Sequence, residues 1–538
     1  MKVHLAGYNV DTEVLNELQN ITGKRSELTP EVISAAYARI SRDPRSIEEI
    51  RKDARQEVER SRKSNQTIIF KMGHHSVAEH AVFNLDVVGI SRYAMEELEK
   101  FRLSSFTEKS QRYITLNKDF VIPQEVIGTA LEKDFVEIIE IQNKAYSEYF
   151  EKLKEYVFKK HFELAQDPKN HNLLEGWAKE DARYITALAT ESQAGLTVNA
   201  RNLELMLRRF ASNPLEEVRS MGRAIYEQIV EVAPSIVIFH QANDKDLKTY
   251  PDLRKTVSKL IKTKNSEKNS EVNPVRDNGR FANRDGGIIP PSNSMISIRR
   301  QEPLAFSNGV KLVDYSKSGD DLIAAALIHT SSDLSFDKCL SAARKLPKKA
   351  KENIFKSAFY NLQFYDSVLR EFEYANLTYN IILSSACFGQ LKRHRMATIT
   401  AQQYDTSLGI TVPDSIKETG LEKHFREIIS KTEVVYQKLR KISPIIVPYI
   451  LTNSHRKRVL CRLNARELYH LSRLREDTHA QWDIQNIARS MSQQAKKVMP
   501  LTFMMVCGKD KYKEVYKNIF GKLPKVVKAE LPGARKIK

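Results

Sequence analysis

The chain has 538 residues, of which 28% are charged, and its formal net charge is +19. This length accommodates two or three domains, each able to bury a core of its own. No apolar run comes close to the roughly 20 residues that a membrane helix needs, and the N-terminus lacks the apolar segment of a signal peptide. We therefore expect no membrane anchor. Four cysteines without metal-ligand spacing are typical of a reduced compartment, so a cytoplasmic location is expected.

The positive charge indicates either anionic partners or a solvated, lysine-rich surface. Nucleic acid is one candidate partner. The basic runs at 348–351 and 456–458 lack the interleaved aromatic residues that single-strand binding surfaces use. Nucleic acid is therefore the less favoured partner, and small anionic ligands account for the charge as well.

In chain order, hydrophobic periodicity predicts a few strands among many helices. Strands are predicted at 2–6, 82–88, 310–314, 377–383 and 458–463, and helices at 138–164, 422–440 and 488–498. Turn-forming residues predict an exposed linker over 262–303. Because the same order of elements occurs on both sides of it, we predict two tandem units, 1–261 and 304–538. Each is predicted to be an α+β (α/β) unit with a small sheet covered by long helices.

Two related motifs occupy corresponding places in the two halves. The first, at 100–113, reads KFRLSSFTEKSQRY, and the second, at 393–405, reads RHRMATITAQQYD. Guanidinium groups bind phosphates and hydroxyls bind the remaining acceptor atoms, so clusters of Arg, Ser and Glu suit a planar, anionic ligand. The second motif keeps a full basic triplet, and the first keeps a Ser-x-Arg-Tyr ending.

Together the motifs resemble the signature of the flavin-dependent thymidylate synthases, Arg-His-Arg-x-x-Ser followed after four residues by Ser-x-Arg-Tyr. Residues 73–80 (GHHSVAEH) resemble the family's upstream segment, and residues 464–475 with 479–483 resemble its C-terminal flavin and nucleotide segment. A weaker copy of that segment lies at 199–205. The resemblance implies an α/β fold and conversion of dUMP to dTMP, with FAD as hydride carrier and 5,10-methylenetetrahydrofolate and NADPH as co-substrates.

The resemblance also implies which residues bind the ligands. Those implied for dUMP are Glu108, Ser110, Gln111, Arg112, Arg183 and Arg475. Arg475 is in addition the implied catalytic residue, which polarises the pyrimidine. Those implied for the flavin are Ser76, Glu79, Lys100, Arg102, Arg393, His394, Arg395, Asn464, Arg466 and His470. Because the family forms homotetramers with sites shared between subunits, a homodimer of doubled chains is expected.

Departures from the signature predict one competent site and one dead site. In the second half Ala401, Gln403 and Asp405 replace the signature's Glu, Ser and Arg, and Asp405 should repel a nucleotide phosphate. In the first half Phe210 stands at the position of Arg475. The competent site is therefore predicted to be a hybrid of the first half's signature and the second half's flavin segment.

The hybrid has one irregularity in its own signature. Lys100 and Phe101 replace the family's Arg-His pair, and Glu97 replaces a Gln that helps to hold the base. Lysine keeps the charge but loses the bidentate fork. This assignment predicts that Arg475→Ala abolishes turnover while Arg393→Ala leaves most of it. Use of the intact triplet at 393–395 is the alternative.

Other chemistries are less favoured. His74, His75 and His80 with Glu79 suggest a metal site, but no second cluster completes the set, so no metal is expected. Cys387 is interpreted as a small buried residue rather than a nucleophile. A non-catalytic homologue that binds flavin or nucleotide and a nucleic-acid-binding scaffold are the alternative functions.

Overall fold

The computed structural model of the protein describes residues 12–22, 29–39, 43–71, 73–112, 116, 119–266 and 309–525. These residues form two helix-rich units in tandem, each with one small antiparallel sheet, which confirms the predicted α+β class. The strand predicted at 2–6 and most of the linker predicted at 262–303 lie outside the described residues. Within them, no helix combines the length and the apolar character needed to cross a membrane.

The first unit is built mainly from helices. They are α1 Thr12–Thr22, α2 Glu31–Arg39, α3 Ile47–Gln56, α4 Val58–Asn65, α5 Arg92–Leu98, α6 Glu132–Lys160, α7 Phe162–Ala165, α8 His171–Ala182, α9 Ala200–Ala211, α10 Glu216–Val232 and α11 Asp244–Ser266. Its strands are β1 Val82–Ser91, β2 Ser105–Glu108 and β3 Glu191–Asn199. Because α11 continues to Ser266, the first residues of the predicted linker are helical.

The second unit repeats this organisation. Its strands are β4 Val310–Tyr315, β5 Asn376–Ser384, β6 Thr398–Ala401 and β7 Arg456–Asn464. Its helices are α12 Gly319–Thr330, α13 Phe336–Lys345, α14 Lys348–Phe359, α15 Ser385–Leu391, α16 Asp414–Glu418, α17 Glu422–Ile442, α18 Ala465–Arg475, α19 Trp482–Val498 and α20 Tyr512–Phe520. The strands predicted at 310–314, 377–383 and 458–463 are thus present.

The long helices differ from their predicted bounds mainly at the start. The helix predicted over 138–164 is α6, which begins six residues earlier, at Glu132, and ends at Lys160. The helix predicted over 488–498 is α19, which begins at Trp482. It starts there because the Gln481 side chain accepts hydrogen bonds from two backbone N–H groups of its first turn, which capping residues normally do.

The two sheets have the same core arrangement. In the first, β3 lies between β1 and β2, and in the second, β7 lies between β5 and β6, with β4 on the far side of β5. The last residue of β3, Asn199, pairs with Val82, and the last residue of β7, Asn464, pairs with Asn376. Asn199 and Asn464 therefore occupy corresponding positions in the two units.

The units pair with each other through a local two-fold relation. Counting back from the ends of β3 and β7, Thr186 corresponds to Leu451 and Leu188 to Asn453. The backbone N–H of Leu188 donates to the carbonyl of Leu451 (2.8 Å), and that of Asn453 donates to the carbonyl of Thr186 (3.0 Å). Exchanging the units converts one bond into the other, which is the pattern of an isologous interface. The tandem units therefore pair like the subunits of a homodimer.

The second unit also contributes to the core of the first. Tyr404, Tyr436 and Tyr449 of the second unit pack in the core built on the first unit's sheet. Between the long helices, the buried amide of Gln142 on α6 donates to the hydroxyl of Thr432 on α17 (2.8 Å). This shared core fixes the two units relative to one another, so side chains from both can form one site.

Candidate functional site

The site begins where β2 of the first unit meets the loop after α15 of the second. Arg393 donates through Nη2 to the Glu108 carboxylate (3.1 Å), and Arg92 Nε lies 3.7 Å from the other carboxylate oxygen. Burial raises the pKa of Glu108, but the charges of Arg92, Lys392 and Arg393 outweigh it and hold that pKa below its usual value. A Cβ at Gly389 would collide with the Arg92 guanidinium and would have to displace it. Glu108 is thus a fixed carboxylate that joins the two units.

The second part of the site is a pair of side chains from the second unit. His394 lies in the loop after α15, and Arg475 lies on α18. Arg475 donates through Nε to Nε2 of His394 (3.1 Å), and Nδ1 of His394 lies 3.2 Å from the Glu467 carboxylate. Nε2 must therefore be the acceptor, and the proton sits on Nδ1. Burial lowers the pKa of His394, and Glu467 only partly offsets this. The imidazole is neutral and holds Arg475 in one orientation.

The surroundings of Arg475 disfavour its positive charge. Burial, followed by the charges of Arg393 and Arg112, lowers its pKa to about 10. Its Nη2 also donates to the carbonyl of Gln390 (3.3 Å). Three guanidinium groups from the two units thus converge closely enough to repel one another, and an anion placed among them relieves that repulsion.

Arg112 and Arg183 form the first unit's side of the site. Arg112 Nη2 donates to the Glu180 carboxylate (3.2 Å) and to the carbonyl of His479 in the second unit (3.3 Å). Arg183, which is buried, donates through Nε to the carbonyl of Glu180 (3.3 Å). Burial raises the pKa of Glu180 against the opposing charges of both arginines. Glu180, on α8 three residues before Arg183, which follows the end of that helix, was not predicted from the sequence.

Several buried polar atoms near these arginines have no hydrogen-bond partner among the described residues. They are Gln111 Nε2, Glu180 Oε1, Arg183 Nη2, Gln390 Oε1 and Asn453 Oδ1. Asn453 of the second unit reaches the first unit's signature, where its Nδ2 donates to Gln111 Oε1 (3.2 Å). Unsatisfied buried groups are costly, so a cluster of them indicates a polar ligand. Gln390 and Asn453 lie outside the residues predicted from the resemblance, and no local pattern marks Asn453.

The predicted flavin segment lies along α18. Asn464 caps the helix, since its Oδ1 accepts from the backbone N–H of Glu467 (2.8 Å). Arg466 donates to the carbonyl of Val368 (2.9 Å) and to Glu373 (3.1 Å). His470 is exposed, and its ring centroid lies 5.7 Å from that of His394.

These residues fit a phosphate-bearing, planar cofactor such as FAD. The exposed His470 and the half-exposed Arg393 form a donor-rich face beside the buried pair of Arg475 and His394. Such a face complements a diphosphate and an aromatic ring system. Because α18 carries both Arg475 and His470, a cofactor on this face would lie beside the cluster of arginines.

Four residues predicted for the flavin have their contacts elsewhere. Lys100 pairs with Glu97 of its own unit, and Arg102 donates to Thr398 Oγ1 (3.3 Å). The exposed Glu79 forms an ion pair with Arg201 within the first unit, and Ser76 is exposed nearby on the same turn.

The hybrid is therefore assembled differently from the sequence-based assignment. The second unit's Arg393, not Lys100, meets the first unit's Glu108, because the loop after α15 crosses the two-fold relation between the units. The next residue, His394, contacts Arg475 and Glu467 of its own unit. Arg395 follows the same path and donates to the carbonyl of Ser104 (2.7 Å). This contact favours the alternative in which the triplet at 393–395 is used, and the effect of Arg393→Ala on turnover stays a prediction.

The symmetry-related region, around the counterparts of His394 and Arg475, has aromatic rings in place of these two polar side chains. Phe101 and Phe210, the counterparts of His394 and Arg475, make an edge-to-face contact with ring centroids 5.6 Å apart. An apolar ring pair thus replaces an imidazole–guanidinium pair, and it offers no donor to an anion.

A buried ion-pair network lies beneath the site. Glu96 accepts hydrogen bonds from Lys457 Nζ (2.8 Å) and from the hydroxyl of Tyr404 (2.6 Å), both in the second unit. Arg92 Nη1 lies 3.9 Å from the Glu96 carboxylate and so links this network to Glu108. The network joins the two units directly below the ligand-binding groups.

In the part of the chain that the structure describes, no three His, Cys, Asp or Glu side chains are grouped so that they could hold a metal ion. The histidines near residue 80 make ring contacts instead, His75 with Phe70 and His80 with Tyr37.

Comparison with known proteins gives a family. The sequence model of the family described as thymidylate synthase complementing protein matches residues 25–235 and 311–501. The two matches cover both units and leave α11 between them.

Individual relatives are distant. A UPF0159 protein from Chlamydia muridarum is 24% identical over 444 residues, covering 80% of this chain and 78% of the relative. A flavin-dependent thymidylate synthase from Clostridium tetani is 29% identical over 217 residues, covering 38% of this chain and 80% of the relative. Among solved structures, the UMP/dUMP methylase PolB from Streptomyces cacaoi, bound with 5-Br dUMP, is 18% identical. It covers 37% of this chain and 95% of that chain with a TM-score of 0.30.

Proposed function

The chain belongs to the thymidylate synthase complementing protein family, and we propose that it is a flavin-dependent thymidylate synthase with one active site per chain. The reaction would convert dUMP to dTMP with 5,10-methylenetetrahydrofolate as the one-carbon donor and NADPH as the reductant. The contact of Arg393 with Glu108 carries the proposal. It brings the intact basic triplet of one unit to the intact acidic and hydroxyl residues of the other.

The first unit would bind the nucleotide. Arg112 and Arg183 supply guanidinium donors for the phosphate, and Ser110, whose hydroxyl accepts from the backbone N–H of Arg112 (3.2 Å), lies between them and Glu108 in the signature. The free donor of Gln111 and the free acceptor of Gln390 suit a pyrimidine edge, which presents both kinds of group. Gln111 Nε2, Gln390 Oε1 and Arg183 Nη2 have no hydrogen-bond partner among the described residues.

Arg475 would act on the pyrimidine. With a pKa of about 10 it remains protonated at neutral pH, and its position in a buried site strengthens its field. Held by His394, it can polarise a pyrimidine carbonyl and stabilise negative charge on the ring before C5 attacks the one-carbon unit. His394 is a positioning residue in this scheme, because it acts through Arg475.

The flavin would be held by the α18 face and the basic triplet. The implicated residues are Asn464, Arg466, His470, Arg393 and Arg395. FAD bound there and reduced by NADPH would supply the hydride that converts the exocyclic methylene to a methyl group. The cysteine nearest the triplet supports this route over a thiolate mechanism. Cys387 is fully buried, and burial raises its pKa well above the usual range.

The test is dTMP formation by the FAD-loaded protein, followed together with dUMP-dependent oxidation of NADPH. Wild type should form dTMP, and Arg475→Ala should abolish it. Phe210→Leu, at the counterpart position, is the matched control and should leave turnover within about twofold because that region offers no donor to a ligand. Tight dUMP binding without any dTMP would favour the non-catalytic homologue and overturn the proposal.

A further inference from the structure

Gln390, near the end of α15, is a buried side chain with one of its two polar atoms left over. Its Nε2 donates to Oε1 of Gln481 (3.4 Å), whereas its own Oε1 has no hydrogen-bond partner among the described residues. Only 7% of Gln390 is exposed, so bulk water does not satisfy that oxygen. Which end of the amide is left over decides what it can bind, because the oxygen accepts a hydrogen bond and the nitrogen donates one.

The backbone fixes the orientation of the neighbouring Gln481 amide. Gln481 precedes α19, and its Oε1 accepts from the backbone N–H groups of Asp483 (3.2 Å) and Ile484 (3.4 Å). A backbone N–H can only donate, so the amide oxygen must lie on that side. The amide nitrogen donates instead to the buried hydroxyl of Tyr184 (2.8 Å).

This fixed oxygen determines the orientation of Gln390 in turn. Since Gln481 offers Gln390 an acceptor, Gln390 must present its nitrogen to it, and its own oxygen is the atom that remains. Reversing the Gln390 amide would set two oxygens against each other. The backbone of Gln390 is held as well, because its carbonyl accepts from Arg475 Nη2 (3.3 Å). Gln390 is therefore a preorganised hydrogen-bond acceptor.

The amide of Gln111, in the first unit, is fixed in the opposite sense. Nδ2 of Asn453 donates to the backbone carbonyl of Arg183 (3.1 Å) and to Gln111 Oε1 (3.2 Å). A carbonyl can only accept, so the nitrogen of Asn453 lies on this side and the oxygen of Gln111 must meet it. Gln111 Nε2, which is buried and has no hydrogen-bond partner among the described residues, remains as a donor.

We propose that Gln481 is a positioning residue that sets the base specificity of the site by holding Gln390 as an acceptor. Asn453 acts in the same way on Gln111, which it holds as a donor. This inference rests on the proposed function, in which both amides and Arg475 bind the pyrimidine.

The pattern of one acceptor with two donors fits uracil and not cytosine. The edge of uracil presents a ring N–H between two carbonyls, which complements the Gln390 oxygen together with the donors of Gln111 and Arg475. The ring nitrogen of cytosine carries no proton, so its lone pair would meet the Gln390 oxygen, and the amine of cytosine would meet a donor. A site with buried polar groups rejects a ligand that leaves them unpaired.

The first measurement is the affinity of the full chain, saturated with FAD, for dUMP and for dCMP. Equilibrium dialysis with each nucleotide gives the two dissociation constants. We expect the constant for dCMP to exceed that for dUMP by about 50-fold or more, because binding of dCMP leaves a buried acceptor and a buried donor without partners.

Gln481→Leu tests the positioning role. It nearly keeps the size of the side chain but removes the oxygen that fixes Gln390, so the Gln390 amide can turn over and present its nitrogen. We expect the ratio of the two dissociation constants to fall by about tenfold, partly through tighter binding of dCMP. The variant also loses the cap of α19. Asn199→Ala, which removes the corresponding cap from α9, is therefore the matched control and should leave the ratio within about twofold.

Gln390→Met covers the case in which Gln481→Leu does not fold. It removes the acceptor itself, so dUMP should bind more weakly and the ratio should fall towards one. A ratio near one in wild type, or an unchanged ratio in either variant, would overturn the inference even if dTMP is formed. A high ratio that both variants lower would support it even in a protein that forms no dTMP. Failure to bind either nucleotide would overturn both the inference and the proposed function.

Discussion

Arg393 is the residue on which the candidate site depends most. It is half-exposed, yet its guanidinium lies 3.1 Å from the buried Glu108 carboxylate and close enough to Arg475 to lower that residue's pKa. A charge in this position holds the first unit's signature against the second unit's α18. Its counterpart Lys100 pairs instead with Glu97 beside an apolar ring pair.

The first prediction compares these two counterparts. Arg393→Ala should lower kcat/KM for dUMP by about 100-fold or more, as removal of one preorganised charged donor does in other enzymes. Lys100→Ala should change it by less than about twofold, because Lys100 has no contact with Glu108. Steady-state kinetics of the two variants decide the matter. Equal losses, or a larger loss in Lys100→Ala, would contradict the assembly described for the hybrid site.

Protonation of His394 should determine how activity falls at acid pH. Its pKa is lowered from the usual 6.5, so the imidazole is neutral at and above that pH, and Nε2 can accept from Arg475. As pH falls through the lowered pKa, protonation removes the acceptor and places a second cation beside Arg475. Activity should therefore decline only on the acid side of 6.5.

The matched variant for this profile is His394→Gln, which keeps an acceptor for Arg475 and removes the titrating group. We expect its acid limb to move to lower pH while activity at neutral pH falls modestly. Values of kcat/KM for both proteins, measured from acid to alkaline pH, provide the check. A limb centred above 6.5 in wild type, or an unchanged limb in the variant, would rule out this role for His394.

Among the helices, α9 and α18 occupy corresponding positions in the two units but differ in their role. Asn199 caps α9 and Asn464 caps α18, each by accepting from a backbone N–H three residues on (3.0 and 2.8 Å). Only α18 carries Arg475 at its end, where α9 has Phe210. The same cap therefore serves a structural helix in one unit and a site helix in the other.

This pair provides the next prediction. Asn199→Ala and Asn464→Ala should each destabilise the protein by about 1 kcal/mol, the usual effect of losing a capping residue. Only Asn464→Ala should also weaken FAD binding, because it alone lies on the predicted flavin face. Urea denaturation and a flavin titration measure the two effects. Equal flavin affinity in both variants would remove Asn464 from the cofactor site.

Much of the element order could be predicted because its signals are local. Alternation marks β5 and β7, and periodic apolar residues mark α6 and α17, although α6 begins six residues before its predicted start. The assembly of the site could not be predicted in this way. Whether Lys100 or Arg393 meets Glu108 depends on the crossing of two loops at the two-fold relation, and Asn453 reaches Gln111 only through that pairing.

At the scale of the whole molecule, the buried network around Glu96 holds the units together. Glu96, Lys457 and Arg92 are all nearly inaccessible to solvent. Glu96→Gln would leave Lys457 buried without a carboxylate, and we expect a loss of about 3–5 kcal/mol in the free energy of unfolding. Asp244→Asn, which removes the exposed ion pair with Lys248, is the control and should cause no measurable change. Urea denaturation of both variants checks this, and equal stabilities would contradict it.

The same network predicts how the protein responds to acid. Burial raises the pKa of Glu96, but Lys457, Arg92 and Lys392 outweigh it and lower that pKa from 4.5 to about 2. A carboxylate with a lowered pKa adds stability above pH 4.5 and loses it as pH falls towards 2. The unfolding free energy should fall more steeply over this window in wild type than in Glu96→Gln. Parallel curves would show that Glu96 is not held as a charged group.

The number of dUMP molecules bound per chain, measured by equilibrium dialysis with the FAD-saturated protein, decides whether the two units form one hybrid site. One competent hybrid site predicts one nucleotide per chain, lost in Arg112→Ala and retained in Asp405→Ala, at the counterpart position. Two nucleotides per chain would show that the Phe101–Phe210 side still binds substrate. None would mean that the arginines of the two units do not form a nucleotide site.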